Sequence, residues 1–73
     1  MVEIDLHGSK HSEVEDKLAN WVILQYNMGN FPLRIITGNS KKMKDIVHKV
    51  GERYNFTIGE PLDNNPGVLI IRS

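Results

Sequence analysis

Hydrophobic and polar residues alternate at the start of the chain, in the segment Val-Glu-Ile-Asp-Leu-His that covers residues 2–7. A period of two predicts a strand with one buried face. Asp5 and His7 are then displayed together on one side, while Ile4 and Leu6 point into a core. Gly8 permits a sharp turn where this strand ends, so the strand terminus is a candidate for presenting chemistry.

Two later segments repeat apolar residues at helical spacing. The first covers residues 14–26, and both Ser9 and Ser12 fit as its N-cap, a choice that the sequence leaves open. The second covers residues 43–54 and follows Ser40, which we expect to be its N-cap. These patterns predict two amphipathic helices.

Three further segments read as strands: residues 33–37, residues 56–58 and residues 68–72, the last preceded by a loop rich in proline and asparagine. Strands joined through a helix run parallel, whereas the last connection is too short for a helix and predicts an antiparallel return. The expected order is βαβαββ. We predict a single α/β domain over residues 1–73, a two-layer sandwich with a four-stranded mixed sheet and both helices on one face.

This topology brings three polar segments to one edge of the sheet, which we call the rim: Asp5–Gly8, Thr37–Ser40 and Asn64–Gly67. Ligands of open α/β sheets bind at the carboxyl ends of the parallel strands, which form this edge. The sheet face without helices, the open face, is expected to expose Glu3, Arg34, Ile36 and Ile70. Its isoleucines point to a protein partner or to self-association.

Composition limits the partners. Nine basic and nine acidic residues give zero net charge, so contact with a polyanion has to be local. The chain has no cysteine and no apolar run of the roughly 20 residues that cross a bilayer. No secretory signal is visible, and we expect a soluble, cytoplasmic protein that does not bind membranes.

Three motifs in order resemble those of the small MutS-related (Smr) domain family. They are Ile-Asp-Leu-His-Gly at 4–8, Ile-Ile-Thr-Gly-Asn-Ser at 35–40, and Asn-Pro-Gly followed by an apolar strand at 65–71. The resemblance covers nearly the whole chain. It implies a fold like the C-terminal domain of bacterial translation initiation factor three, and nucleic-acid binding with DNA nicking or RNA cleavage in several members.

Carried over to this chain, the resemblance makes Asp5 and His7 the catalytic candidates. Two positions depart from the family pattern, since Thr37 stands where a second histidine is usual and Ser40 where a second glycine is usual. If that histidine is required for cleavage, this chain binds without cutting. Enzymatic activity as an endonuclease is therefore left open.

The chemistry of cleavage needs proton exchange and compensation of charge on phosphate oxygens. Histidine exchanges protons near neutral pH, and Asp5 could orient His7 or hold Mg²⁺ or Mn²⁺ if a cation is used. No other metal site is indicated. The residues expected to contact nucleic acid are Gly8, Arg34, Thr37, Gly38, Asn39, Ser40, Lys41, Lys42, Lys44, Asn65 and Gly67.

Plainer interpretations stand beside these. Asp5 could simply satisfy amides of the adjoining loop, and the lysines could form a solvated helix start, although cations there oppose the helix dipole. The alternative function is a non-catalytic adaptor that binds a protein or a second copy through the open face.

Overall fold

Six elements follow in the predicted order, and the computed structural model describes all of residues 1–73. They are β1 (Val2–Asp5), α1 (His11–Asn27), β2 (Leu33–Ile36), α2 (Lys41–Arg53), β3 (Thr57–Gly59) and β4 (Val68–Arg72). The α/β class and the βαβαββ order are confirmed. β3 begins one residue later than predicted and extends to Gly59.

The four strands form one mixed sheet in the order β1-β2-β4-β3. β1 and β2 are parallel, and β4 lies between β2 and β3, antiparallel to both. The carboxyl ends of β1, β2 and β3 therefore share one edge with the start of β4. This is the edge at which the sequence places the rim.

Both helices pack on the same face of the sheet. Alternate residues of the two central strands, Leu33 with Ile35 and Leu69 with Ile71, are in register and belong to the buried core. The helices bury apolar side chains against this surface: Val14, Leu18, Ala19 and Val22 from α1, and Met43, Val47 and Val50 from α2. The predicted two-layer arrangement is confirmed.

The open face is less exposed than its alternation predicts. Ile70 is only 2% exposed, which contradicts the expectation that it faces solvent. The cause is the loop between β3 and β4, which returns against this face. Its Asp63 carboxylate lies 3.1 Å from the guanidinium of Arg34, the cross-strand neighbour of Ile70, and its Pro61 is buried.

The two helices start differently. α2 has the predicted cap, because the Ser40 hydroxyl accepts a hydrogen bond from the Met43 amide at 3.1 Å. α1 begins after Lys10 without any side-chain cap, so the expected cap at Ser9 or Ser12 is wrong. Ser9 instead closes a turn onto the Leu6 carbonyl, and Glu15, the other half of the expected capping box, binds α2.

Neither helix has the length and apolar character needed to span a bilayer.

Candidate nucleic-acid interface

Backbone hydrogen bonds join the three segments of the rim. The Leu6 amide donates to the Ile36 carbonyl at 2.8 Å, which carries the β1–β2 pairing to the start of the first segment. The amides of Thr37 and Gly38 both donate to the Gly67 carbonyl, at 2.8 and 3.1 Å. The rim is therefore a connected part of the backbone, and its three loops are held in one arrangement.

Asp5 shapes the turn that carries His7. The Ser9 amide donates to the Leu6 carbonyl at 3.0 Å, and Gly8 in this turn has a φ of +82°, a conformation that glycine adopts without strain. The Asp5 carboxylate accepts a hydrogen bond from the backbone amide of His7 at 2.9 Å. It thus binds the main chain of His7, whereas no hydrogen bond links the two side chains.

The imidazole of His7 lies against Gly38. A Cβ atom at position 38 would be 3.1 Å from His7 Cδ2, tighter than most real contacts, and Gly38 also has a φ of +64°. A Cβ at Gly67 would in turn lie 3.3 Å from the Gly38 Cα. Glycine at these two positions lets the first, second and third motifs touch one another.

Thr37 has a structural position at the rim. It is 2% exposed, and its hydroxyl lies 2.9 Å from the Gly38 carbonyl and 3.2 Å from the Gly67 carbonyl. The hydroxyl donates within the protein and ties two segments together. Where the resembling family has a second histidine, this chain has a buried loop contact.

Positive charge collects at the start of α2. Its first turn contains no acidic residue, and Lys41 is 92% exposed, with only a loose 3.9 Å pairing to Asp45. Lys42 is exposed and Lys44 is half-buried, and neither forms an ion pair. Asn39 is exposed beside them, while Ser40 is occupied as the cap. Cationic side chains therefore border the second segment of the rim.

Arg34 is not gathered into the rim. It lies on the open face, where its guanidinium is 3.1 Å from Asp63 and 3.7 Å from Glu3. The pKa of Asp63 lies below its ordinary value because the carboxylate accepts a backbone hydrogen bond from Asn65 and another from Arg34. The two carboxylates compensate the charge of Arg34, so in this structure it fixes the loop.

A cleft that the sequence analysis did not identify adjoins the third segment of the rim. It has a volume of about 330 Å³ and opens between α2 and the loop before β4. Its polar lining consists of Lys44, His48, Glu60, Asn64 and Asn65. Lys44, Asn64 and Asn65 were expected at or beside the rim, whereas His48 and Glu60 were not. The spacing of four between Lys44 and His48, which places both on one face of the helix, is the signal that could have added His48.

A divalent cation would find limited protein ligands at the rim. No group of three or more His, Cys, Asp or Glu side chains comes together in the structure. Asp5 supplies one carboxylate, and magnesium is commonly held by one or two carboxylates together with substrate phosphates. Asp5 fits that limited role.

Comparison with known proteins supports the fold. No protein-family model matches the sequence, and no curated protein matches it. Among solved structures, the crystal structure of the human small-MutS related domain is similar, with a TM-score of 0.71. The match covers 97% of this chain and 99% of the human one at 23% identity. The chain therefore has an Smr-like fold, as the three motifs predict.

Proposed function

We propose that this chain is a nucleic-acid-binding domain that contacts phosphates through the rim. The observation that carries the proposal is the convergence of all three motif loops beside the cationic start of α2. The Smr-like fold supports it, since the resembling family binds nucleic acid. Zero net charge agrees with a contact confined to one edge of the molecule.

The start of α2 provides a seat for one phosphate. Two backbone amides of its first turn already have acceptors within the protein: the Met43 amide donates to the Ser40 hydroxyl, and the Lys44 amide donates to the Ser40 carbonyl. The amides of Lys41 and Lys42 have no acceptor in the protein. Free N–H groups at a helix N-terminus attract anions, and here the same two residues add their ammonium groups. Backbone donors and charge thus face the same ligand.

Cleavage, if this domain performs it, depends on His7. His7 is exposed and is the only imidazole of the rim. Thr37, which stands where the resembling family has a second histidine, is buried in a structural contact. Asp5 holds the backbone of His7 and keeps a carboxylate at the same edge. In this proposal His7 transfers the proton, and Asp5 is the positioning residue.

The same substrates serve to measure binding and cleavage: nicked or branched DNA and structured RNA, each with and without Mg²⁺ or Mn²⁺. Replacing both Lys41 and Lys42 by Gln should weaken binding and lower the salt dependence, because each phosphate contact contributes about one to the slope of log K against log salt. Lys17→Gln removes an exposed charge from the middle of α1 and serves as control. Equal binding by all variants contradicts the proposed seat.

The catalytic part has its own test. His7→Ala should abolish any cleavage and leave binding largely intact, since the phosphate seat does not use the imidazole. Cleavage that survives His7→Ala and Asp5→Ala together rejects the catalytic assignment. The alternative, an adaptor that uses the open face, drew on zero net charge, the missing second histidine and exposed isoleucines, and the structure removes Ile70 from this support because it is only 2% exposed.

A further inference from the structure

The cleft between α2 and the loop before β4 continues the rim towards one side. Asn65 lines the cleft, and its side-chain oxygen accepts a hydrogen bond from the Gly67 amide at 2.9 Å. Gly67 in turn binds the second rim segment through its carbonyl. Lys44 lines the cleft from α2 and lies about 5 Å along the helix axis from Lys41. A strand with a phosphate at the start of α2 would therefore pass the mouth of this cleft.

The polar groups of the cleft suit a base better than an anion. The side-chain NH₂ of Asn65 remains free to donate. The side-chain amide of Asn64 has no partner in the protein, whereas its backbone amide donates to the Pro61 carbonyl at 3.1 Å. His48 adds a ring that donates or accepts, and Glu60 adds an acceptor. A carboxylate within the lining disfavours a bare phosphate, whereas a heterocyclic base offers both donors and acceptors to such a mixture.

The volume and the lining of the cleft agree with a heterocyclic base as its ligand. A volume of about 330 Å³ is at the lower end of the range for small-ligand sites. Pro66, Val68 and Leu69 contribute the apolar part of the lining. Lys44 is half-buried and unpaired at the end nearest the rim, so its ammonium can reach the phosphate attached to that base.

We infer that this cleft binds one unpaired nucleotide of a nucleic-acid strand whose phosphate lies at the rim. Asn64, Asn65 and His48 contact the base, and Lys44 contacts its phosphate. The inference rests on the proposed function and makes it more specific, because the domain then prefers strands with unpaired bases over continuous duplex.

The test compares a short single-stranded DNA with an abasic strand of equal length, which keeps every phosphate but has no bases. The wild-type chain should bind the base-bearing strand more tightly. Asn64→Gly should weaken that binding about threefold to tenfold, the worth of a lost hydrogen bond, and leave the abasic strand unaffected. His48→Ala should act in the same direction.

A matched control is available for the loop variant. Asn55 and Asn64 are both exposed and both have a positive φ, 60° and 55°, so glycine fits either backbone without strain. Asn55 lies beyond the end of α2, away from the cleft, and Asn55→Gly should bind both strands like the wild type.

The other outcomes separate the two proposals. Equal binding of both strands by the wild type overturns the cleft assignment and leaves the rim as a phosphate site. Equal effects of Asn64→Gly and Asn55→Gly overturn it as well. Binding of neither strand overturns this inference, whereas the proposed function is overturned only if nicked or branched DNA and structured RNA are not bound either.

Discussion

Gly38 is the residue at which the first and second motifs meet, and its replacement tests that contact. Gly38→Ala should lower the free energy of unfolding by about 1–2 kcal/mol for the positive φ alone and also displace the His7 ring. Gly29→Ala is the matched control, since Gly29 has a φ of +74° but nothing within 4 Å of a Cβ. Both variants should lose stability in urea unfolding, and only Gly38→Ala should shift the ring signals of His7. Unchanged His7 signals contradict the contact.

The hydrogen bond between the Asp5 carboxylate and the His7 amide gives a second prediction. Asp5→Asn keeps an oxygen that accepts from the His7 amide, whereas Asp5→Ala removes it. We expect Asp5→Ala to destabilise the fold by about 0.5–1 kcal/mol and Asp5→Asn to cost less, as measured by urea unfolding. If the asparagine variant is the less stable of the two, the carboxylate stabilises by its charge and not by this hydrogen bond.

Residue-level prediction from the sequence succeeded where direction alone decides. Alternation correctly placed Leu6 in the core, but β1 ends at Asp5, so His7 lies in the following turn and not on the strand as predicted. Alternation could not decide whether the carboxylate binds the imidazole or a loop amide, because that depends on the turn through Gly8. The structure selects the amide, the plainer of the two interpretations.

The two helices differ in how their first turns are capped. Ser40→Ala should lower the free energy of unfolding by about 1 kcal/mol, because the Met43 amide loses its acceptor. Ser12→Ala should change it by less than about 0.5 kcal/mol, since Ser12 caps nothing. Thermal unfolding of the two variants checks this pair, and equal losses would contradict the assigned caps.

The helices and strands were predictable from periodicity, but the order of the strands within the sheet was not. Helical spacing and β-branched runs gave the order βαβαββ and the parallel and antiparallel directions. The position of β4 between β2 and β3 follows from long-range pairing that no local pattern carries. The failed capping box at Ser12 has a similar cause, because Glu15 makes its contacts with α2.

Glu15 joins the two helices and makes the stability of the fold depend on pH. Hydrogen bonds from Lys49, which has the larger effect, and from Arg53 hold the pKa of Glu15 below its ordinary value of 4.5. Folding therefore favours the ionised form, so this stabilisation is complete above pH 4.5 and is lost as the pH falls through the lowered pKa. The chain should become less stable in acid.

The variant Glu15→Gln should flatten this dependence. Urea unfolding at about pH 7 and about pH 3 should show a smaller difference for Glu15→Gln than for the wild type. Glu13→Gln removes an unpaired carboxylate from the same helix and should retain the wild-type difference. An unchanged difference in Glu15→Gln would show that other carboxylates control the acid sensitivity.

The exposure of the open face could not be predicted from the sequence. Alternation correctly assigned Ile70 to the face without helices, yet Ile70 is buried. The loop returns to the cross-strand neighbour of Ile70 through the contact between Arg34 and Asp63, which are 29 residues apart. The rim was predictable because strand direction alone brings its segments together, and the cleft was not because it depends on the path of the same loop.

Backbone amide shifts, followed while nicked or branched DNA and structured RNA are titrated at low salt, show whether the rim binds nucleic acid. We expect the amides of Asp5–Gly8 and Thr37–Lys44 to shift together and the shifts to shrink as salt is raised. Amides at the opposite edge, near Tyr26 and Tyr54, should stay in place. Shifts confined to that opposite edge, or none in either rim segment, would show that the rim is not the binding site.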